Sequence, residues 1–241
     1  MSEILAIIPA RGGSKEIPKK NIKILGKYPL IAYSIYSARQ IKSINRIIVS
    51  TDDDEIAEIS KKYGAEVPFK RPSEFAQDNS PDRPLFIHAL DWLEKNDNYF
   101  PKFVLHLRPT SPFRTNNDIE NVIQIWRDTN CDSVRSVNLI DAKSHPYWAY
   151  VEADGLGYNY ISDPEIRNNY NLRQSLPPLF QPNGLVDGYT PESIRNSNDM
   201  LGEKLMLYKV KSALDIDTNE DFDYASYLLE RNIVNSELPT L

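Results

Sequence analysis

Short apolar runs alternate with stretches of helical spacing along the first 137 residues, and that rhythm leaves few folds open to the chain. Residues 4–8 (Ile-Leu-Ala-Ile-Ile), 46–50 (Arg-Ile-Ile-Val-Ser), 103–107 and 133–137 read as strands buried on both faces, with a shorter one at 66–69. Between them, four apolar sets recur at helical spacing: Leu30, Ile31, Ile35 and Ala38; Ile56, Ile59 and Tyr63; Leu85, His88, Trp92 and Leu93; Ile119, Val122, Ile123 and Trp126. The punctuation agrees. Pro29 and Pro84 suit first helical turns, Thr115 with Asp118 forms a capping box, and Gly64 stops the second helix. The acidic run Asp52-Asp53-Asp54 offers N-cap chemistry; a metal site is the more demanding reading of the same three carboxylates. Alternation of this kind predicts an α/β fold, a mostly parallel sheet with helices on both faces. Ligands of such sheets gather at the carboxyl ends of the strands. Arg11, Asp52, Arg71 and Arg108 each fall just after a strand, which places them at one rim.

Beyond residue 137 the rhythm changes. Residues 147–151 and 158–161, with a turn at Asp154-Gly155, predict a small β-rich excursion dense in aromatics, among them Tyr147, Trp148, Tyr150, Tyr158, Tyr160 and Tyr170. Residues 184–189 and 204–210 return to strand-like sequence, and a last helix carries Phe222, Ala225, Leu228 and Leu229 inward. At 241 residues the chain suits a single domain, 1–241, with 138–182 as the excursion. That unit is too small to bury its own aromatics, so a homodimer is expected. A net charge of −6 argues against nucleic acid as the main partner. The one cysteine, Cys131, excludes an intramolecular disulfide, and no apolar run nears the roughly 20 residues a membrane helix needs. A soluble cytoplasmic protein without membrane partners is the expectation.

Two stretches carry chemistry. After the first strand come Pro9, the pair Gly12-Gly13, and Arg11, Ser14, Lys15, Lys19 and Lys20. A glycine-containing loop that offers backbone N–H groups and cations suits a polyphosphate, although neither Walker nor dinucleotide-binding spacing is present. The alternative is a solvated basic turn. In Asp215-Ile216-Asp217-Thr218, extended backbone turns both carboxylates to one side, where they could share a hard cation while Ile216 anchors. Otherwise the two aspartates simply mark a strand end before a helix capped by Thr218.

The motif Pro9-Ala-Arg-Gly-Gly-Ser-Lys-x-Ile-Pro-x-Lys-Asn21 resembles the opening of the acylneuraminate (CMP-sialic acid synthetase) cytidylyltransferases. Further blocks follow in that family's order: Arg71-Pro72 with Asp78, Leu107-Arg-Pro-Thr-Ser-Pro-Phe-Arg114, Asn171-Leu-Arg-Gln-Ser-Leu-Pro177, Gln181-Pro-Asn-Gly184 and Asp215-Ile-Asp-Thr218. The resemblance spans nearly the whole chain. It implies a Rossmann-like core of the nucleotidyltransferase type, a projecting dimerisation element, and CTP with Mg²⁺ and an acidic sugar as reactants. Ala10, Arg11, Gly12, Ser14, Lys15 and Lys20 would hold CTP through its phosphates, with Asn21, Arg71 and Asp78 around the cytidine. Asp215 and Asp217 would hold Mg²⁺, and Arg11, Lys20 and Asp217 would act in catalysis. Arg108, Thr110, Ser111, Arg173, Gln181 and Asn183 would face the sugar. Three positions depart from the sialic acid enzymes: Arg108 stands for the usual glutamine, Gln181 for an arginine, and Trp148 where a lysine often stands. The nucleotide half therefore looks orthodox, and the sugar half favours a related acidic keto-sugar over N-acetylneuraminate. Another NTP or a neutral sugar, and a nucleotide-binding regulator without turnover, are the competing readings.

Overall fold

A computed structural model of the chain describes residues 3–234. In chain order the strands are β1 (Ile4–Pro9), β2 (Ile24–Leu25), β3 (Tyr28–Pro29), β4 (Ile44–Ser50), β5 (Phe103–His106), β6 (Ser133–Leu139), β7 (Tyr150–Ala153), β8 (Leu156–Asn159), β9 (Phe180–Tyr189) and β10 (Leu205–Lys209). The α-helices are α1 (Leu30–Arg39), α2 (Asp54–Lys62), α3 (Asp82–Asp97), α4 (Asn116–Thr129), α5 (Pro164–Asn169), α6 (Pro191–Asn196) and α7 (Asn219–Glu230).

Six strands form the central sheet in the order β10-β6-β9-β5-β1-β4. β1 runs parallel to β4 and β5, and β10 parallel to β6, whereas β9 is antiparallel to both of its neighbours. The expected mostly parallel sheet is therefore present with one reversed strand. Helices cover both faces, which is why the strands read as unbroken apolar runs. In β1, Ile4, Ala6 and Ile8 pack with Ile31 and Ile35 of α1, Ile56 of α2 and Ile119 and Val122 of α4. Leu5 and Ile7 join Leu85, Phe86, Ala89 and Leu90 of α3 and Ile194 of α6 on the opposite face. A third apolar cluster binds Ile17, Leu30, Tyr33, Ile216, Phe222 and Ala225, so the loop after β1, α1 and the segment before α7 are held as one body.

Local signals fared unevenly. Asp53 Oδ1 accepts from Ile56 N at 2.9 Å, making it the N-cap of α2, and Thr115 and Thr218 both complete capping boxes. The expected strand at 66–69 reduces to one bridge, Ile48 to Glu66. α3 starts at Asp82, two residues ahead of Pro84, and Pro29 is the N-cap of α1. Tyr147 and Trp148 lie in a 3₁₀ turn, leaving β7 and β8 as the hairpin, joined by Asp154 and Gly155 at φ 53° and 76°. Two positive φ values in sequence are what a tight primed turn demands. Among the described residues no helix is long and apolar enough to cross a membrane.

Candidate active site

Three fastenings shape the loop that leaves β1. Ala10 N donates to Ser50 O at 2.9 Å, Gly12 N donates to the Asp52 carboxylate at 3.0 Å, and Asn21 Nδ2 donates to Arg11 O at 2.9 Å. Asp52 is thus a strut for the loop. A Cβ at Gly12 would lie 2.8 Å from Asp53 Oδ2, so close approach to the α2 cap is what requires glycine there. Lys20 is turned inward, its ammonium donating to Ile216 O at 2.8 Å and to Asp217 Oδ1 at 3.1 Å.

These contacts surround a cleft of about 600 Å³ at the carboxyl ends of β1 and β5. Arg11, Ser14, Lys15, Lys20, Asn21, Arg71, Asp78, Arg108, Thr110 and Asp217 line it, bringing together all but two of the residues expected at the nucleotide. Ala10 and Gly12 stand behind it and set the course of the loop. Asp78 is bound by Lys15 and, at 2.6 Å, by Arg11 Nη1. These contacts, that of Lys15 first, hold its carboxyl below the usual range. Arg71 is buried and hydrogen-bonded to the hydroxyl and carbonyl of Ser50. Burial lowers its pKa to about 10, opposed by Asp52 and Asp82, so it stays a cation at neutral pH. Sequence reasoning missed His106 and Asp82, which also line this cleft.

A second cleft, of about 380 Å³, adjoins the first at Arg108 and is lined by Arg135, Asn138, Gln181, Asn183, Gly184, Asp187 and Asp215. Arg108 Nη1 donates to Asp187 at 2.9 Å and its Nη2 lies 3.6 Å from Asp82. Burial would lower the Arg108 pKa, but Asp187, Tyr189 and Asp82 outweigh it and leave the pKa raised. Arg114, fully enclosed, ties the neighbourhood together by donating to Leu185 O at 2.8 Å and to Ser34 Oγ and Arg108 O at 2.6 Å each. Ser111 is buried and donates to Gly184 O at 3.2 Å, while Thr110 O accepts from Ile216 N at 2.8 Å. Of the residues expected at the sugar, Gln181 and Asn183 join Arg108 here. Arg173 does not: it lines a separate pocket with His145, Leu176 and Pro177. Arg135 and Asp187 were not foreseen, since a polar residue inside an apolar strand announces neither its face nor its partner.

Asp215 and Asp217 border different clefts, Asp217 the first and Asp215 the second, with Ile216 buried between them. Asp215 Oδ1 is buried without a hydrogen-bond partner, and Asp217 is largely exposed. No group of three or more acidic, histidine or cysteine side chains gathers among the described residues. The two carboxylates are thus not turned into one cleft, contrary to the expectation from sequence; the oxygen left over on Asp215 and the exposed carboxylate of Asp217 are each a hard ligand of the kind that Mg²⁺ takes.

Comparison with known proteins bears on the family and the fold. A family model described as cytidylyltransferase matches residues 5–237. The CMP-N,N'-diacetyllegionaminic acid synthase of Legionella pneumophila is 35% identical over 95% of this chain and 97% of its own. The protein of that name from Campylobacter jejuni is 31% identical over 95% and 96%. Among solved structures, CMP:2-keto-3-deoxy-manno-octonic acid synthetase complexed with CTP aligns with a TM-score of 0.73 at 18% identity, covering 96% of this chain and 100% of that one, which supports the fold. The chain belongs to the cytidylyltransferase family.

Proposed function

We propose that the protein transfers the cytidylyl group of CTP to the anomeric hydroxyl of a nonulosonic, sialic-acid-like sugar or a related acidic keto-sugar, releasing CMP-sugar and pyrophosphate with Mg²⁺ as cofactor. The observation that carries this reading is the pair of clefts meeting at Arg108, one rich in cations and the other dense in hydrogen-bonding groups. Relatives named for CMP-linked acidic sugars support the choice of reactants.

In the reaction the sugar hydroxyl oxygen attacks the α-phosphorus of CTP. A new P–O bond forms, the bond to the β-phosphate oxygen breaks, and the hydroxyl proton leaves to solvent or a base. Such a displacement needs alignment and charge neutralisation more than covalent help. Arg11 and Lys15, exchanging Asp78 for phosphate oxygens, offset charge on the triphosphate. Lys20, fixed by Ile216 O, presents its remaining donor to the leaving pyrophosphate. Arg71 and Asn21 bound the nucleoside end. Asp215 and Asp217 would hold Mg²⁺, which supplies charge neutralisation at the phosphates when bound. A cytoplasmic setting fits the buried free thiol of Cys131.

Pyrophosphate release measured with each NTP, across a panel of acidic and neutral sugars and with or without Mg²⁺, tests the reading. CTP with an acidic keto-sugar and Mg²⁺ is the expected combination. Equal or faster release with GTP or UTP would refute the nucleotide, and undiminished turnover in chelator would refute the metal.

A further inference from the structure

We propose that Arg135 is the guanidinium that receives the carboxylate of the acidic sugar, while Asp187 holds Arg135 and Arg108 in register. This rests on the reading of the two clefts as nucleotide and sugar sites. Arg173 and Arg108 are the two arginines that the sequence offers for the carboxylate, but Arg173 lines a separate pocket and the charge of Arg108 is already taken. Asp187 holds Arg108 Nη1 at 2.9 Å, and Asp82 lies 3.6 Å from the other end of its fork. Arg135 differs. Its Nε is 3.7 Å from the same Asp187 oxygen, beyond hydrogen-bond length, and is buried without a hydrogen-bond partner. The Tyr189 phenol also interacts with the Arg135 side chain, and Tyr189 OH itself lies 3.3 Å from Asp187. With Asp187 and Asp82 both on Arg108, the long 3.7 Å approach to Asp187 is the weaker of the two contacts that this carboxylate makes, and it leaves Arg135 Nε a donor still to be filled.

The backbone accounts for the aim of Arg135. Its Cα pairs with that of Asp187 across β6 and β9, and the register breaks between Arg135 and Val137. Such an irregularity re-aims side chains next to sites. Ser136, left out of the β6–β9 ladder though paired with Tyr208 of β10, donates its N–H to Asp187 and accepts from Val186 N at 2.9 Å, so the distortion is fastened. Asn183, whose buried Nδ2 is a second orphaned donor, lines the same cleft. Two buried donors without acceptors are what a two-oxygen carboxylate satisfies. Asp215, proposed above as a Mg²⁺ ligand, also lines the cleft.

The test uses the full chain with CTP, an acidic keto-sugar that it turns over, and the same sugar with its carboxyl reduced to an alcohol. Arg135→Gln is expected to raise KM for the acid about 30- to 100-fold, leave KM for CTP within about twofold, and leave the alcohol analogue as wild type handles it. Arg135→Lys, which keeps the charge and loses the planar fork, is expected to restore part of the affinity for the acid alone. If Arg135→Gln does not fold, Arg135→Lys carries the same acid-against-alcohol comparison. Equal losses on acid and alcohol, or a loss shared with CTP, overturn the assignment and make Arg135 a packing residue. Selective loss of the acid in Arg108→Gln with none in Arg135→Gln overturns it in favour of Arg108. Wild-type protein that releases no pyrophosphate with any acidic sugar overturns the functional reading itself, a result separable from wild-type turnover with an unselective Arg135 variant.

Discussion

At the scale of single residues, His106 is where fold and site conflict most. Its ring is fully buried at the end of β5 with both nitrogens unpartnered, and the Asp82 carboxylate facing it is 4.0 Å away. Burial first, then Arg108, Arg114, Arg135 and Arg71, hold its pKa well below the ordinary value of 6.5. The folded state thus keeps the imidazole neutral where the unfolded chain would take up a proton. Stability is intact above pH 6.5 and falls as pH drops below it, by at most about 1.4 kcal/mol per pH unit for this one group. His106→Leu is expected to flatten melting temperature against pH between 6.5 and 5; an unchanged slope would assign the acid sensitivity to other groups. Asp217 makes the opposite case, an exposed carboxylate that we propose as a Mg²⁺ ligand. Asp217→Asn is expected to abolish nearly all turnover while calorimetry still detects CTP binding in the absence of metal. Near wild-type kcat would return Asp217 to a neighbour of the α7 cap. Residues of the second kind were legible in the sequence because they follow strands in loops, where polar side chains have no packing to explain them. His106, Arg135 and Asp187 were not, because they interrupt strands whose apolar neighbours set the pattern.

Elements were legible wherever one period or one cap decided them. The capping boxes at Thr115 and Thr218 and the αL turn at Gly64 are local chemistry, and each is present. β9 is different. Its reversed direction depends on the excursion returning the chain between β5 and β6, a tertiary matter that no window of sequence contains. The predicted strand at 66–69 failed for a related reason: only Glu66 reaches a partner before the chain turns away toward Arg71. Gly12 joins two elements, the loop after β1 and the cap of α2. In Gly12→Ala the new methyl must displace Asp53, so loss of the Asp53 cap, about 1 kcal/mol, should accompany a several-fold rise in KM for CTP. Thermal melting and steady-state kinetics on the one variant check both; a change in KM with unchanged melting would mean that the loop yields and the cap does not.

Over the whole molecule, the excursion is the part with the most exposed apolar side chains among the described residues. Its hairpin exposes Tyr150 at 69%, Leu156 at 60% and Tyr158 at 49%, and Tyr160 beyond it at 63%. A two-stranded hairpin has no independent core, and its register puts Leu156, Tyr158 and Val151 on one face and Tyr150 on the other, so both faces leave apolar side chains for a partner to cover. The sequence supplied this expectation through aromatic density alone, yet could not place Arg173, which the structure puts on the excursion's own pocket, away from the two clefts lined within the same chain. A homodimer built on the hairpin is the expected assembly. Sedimentation at micromolar concentration should then give twice the chain mass for wild type, and Tyr150→Ser combined with Leu156→Ser should shift it toward monomer without lowering the melting temperature of the sheet domain by more than about 1 kcal/mol equivalent, since both side chains are exposed. A wild-type monomer would contradict the dimer outright. A dimer untouched by the double variant would move the interface elsewhere, and the exposed aromatics would then need another partner.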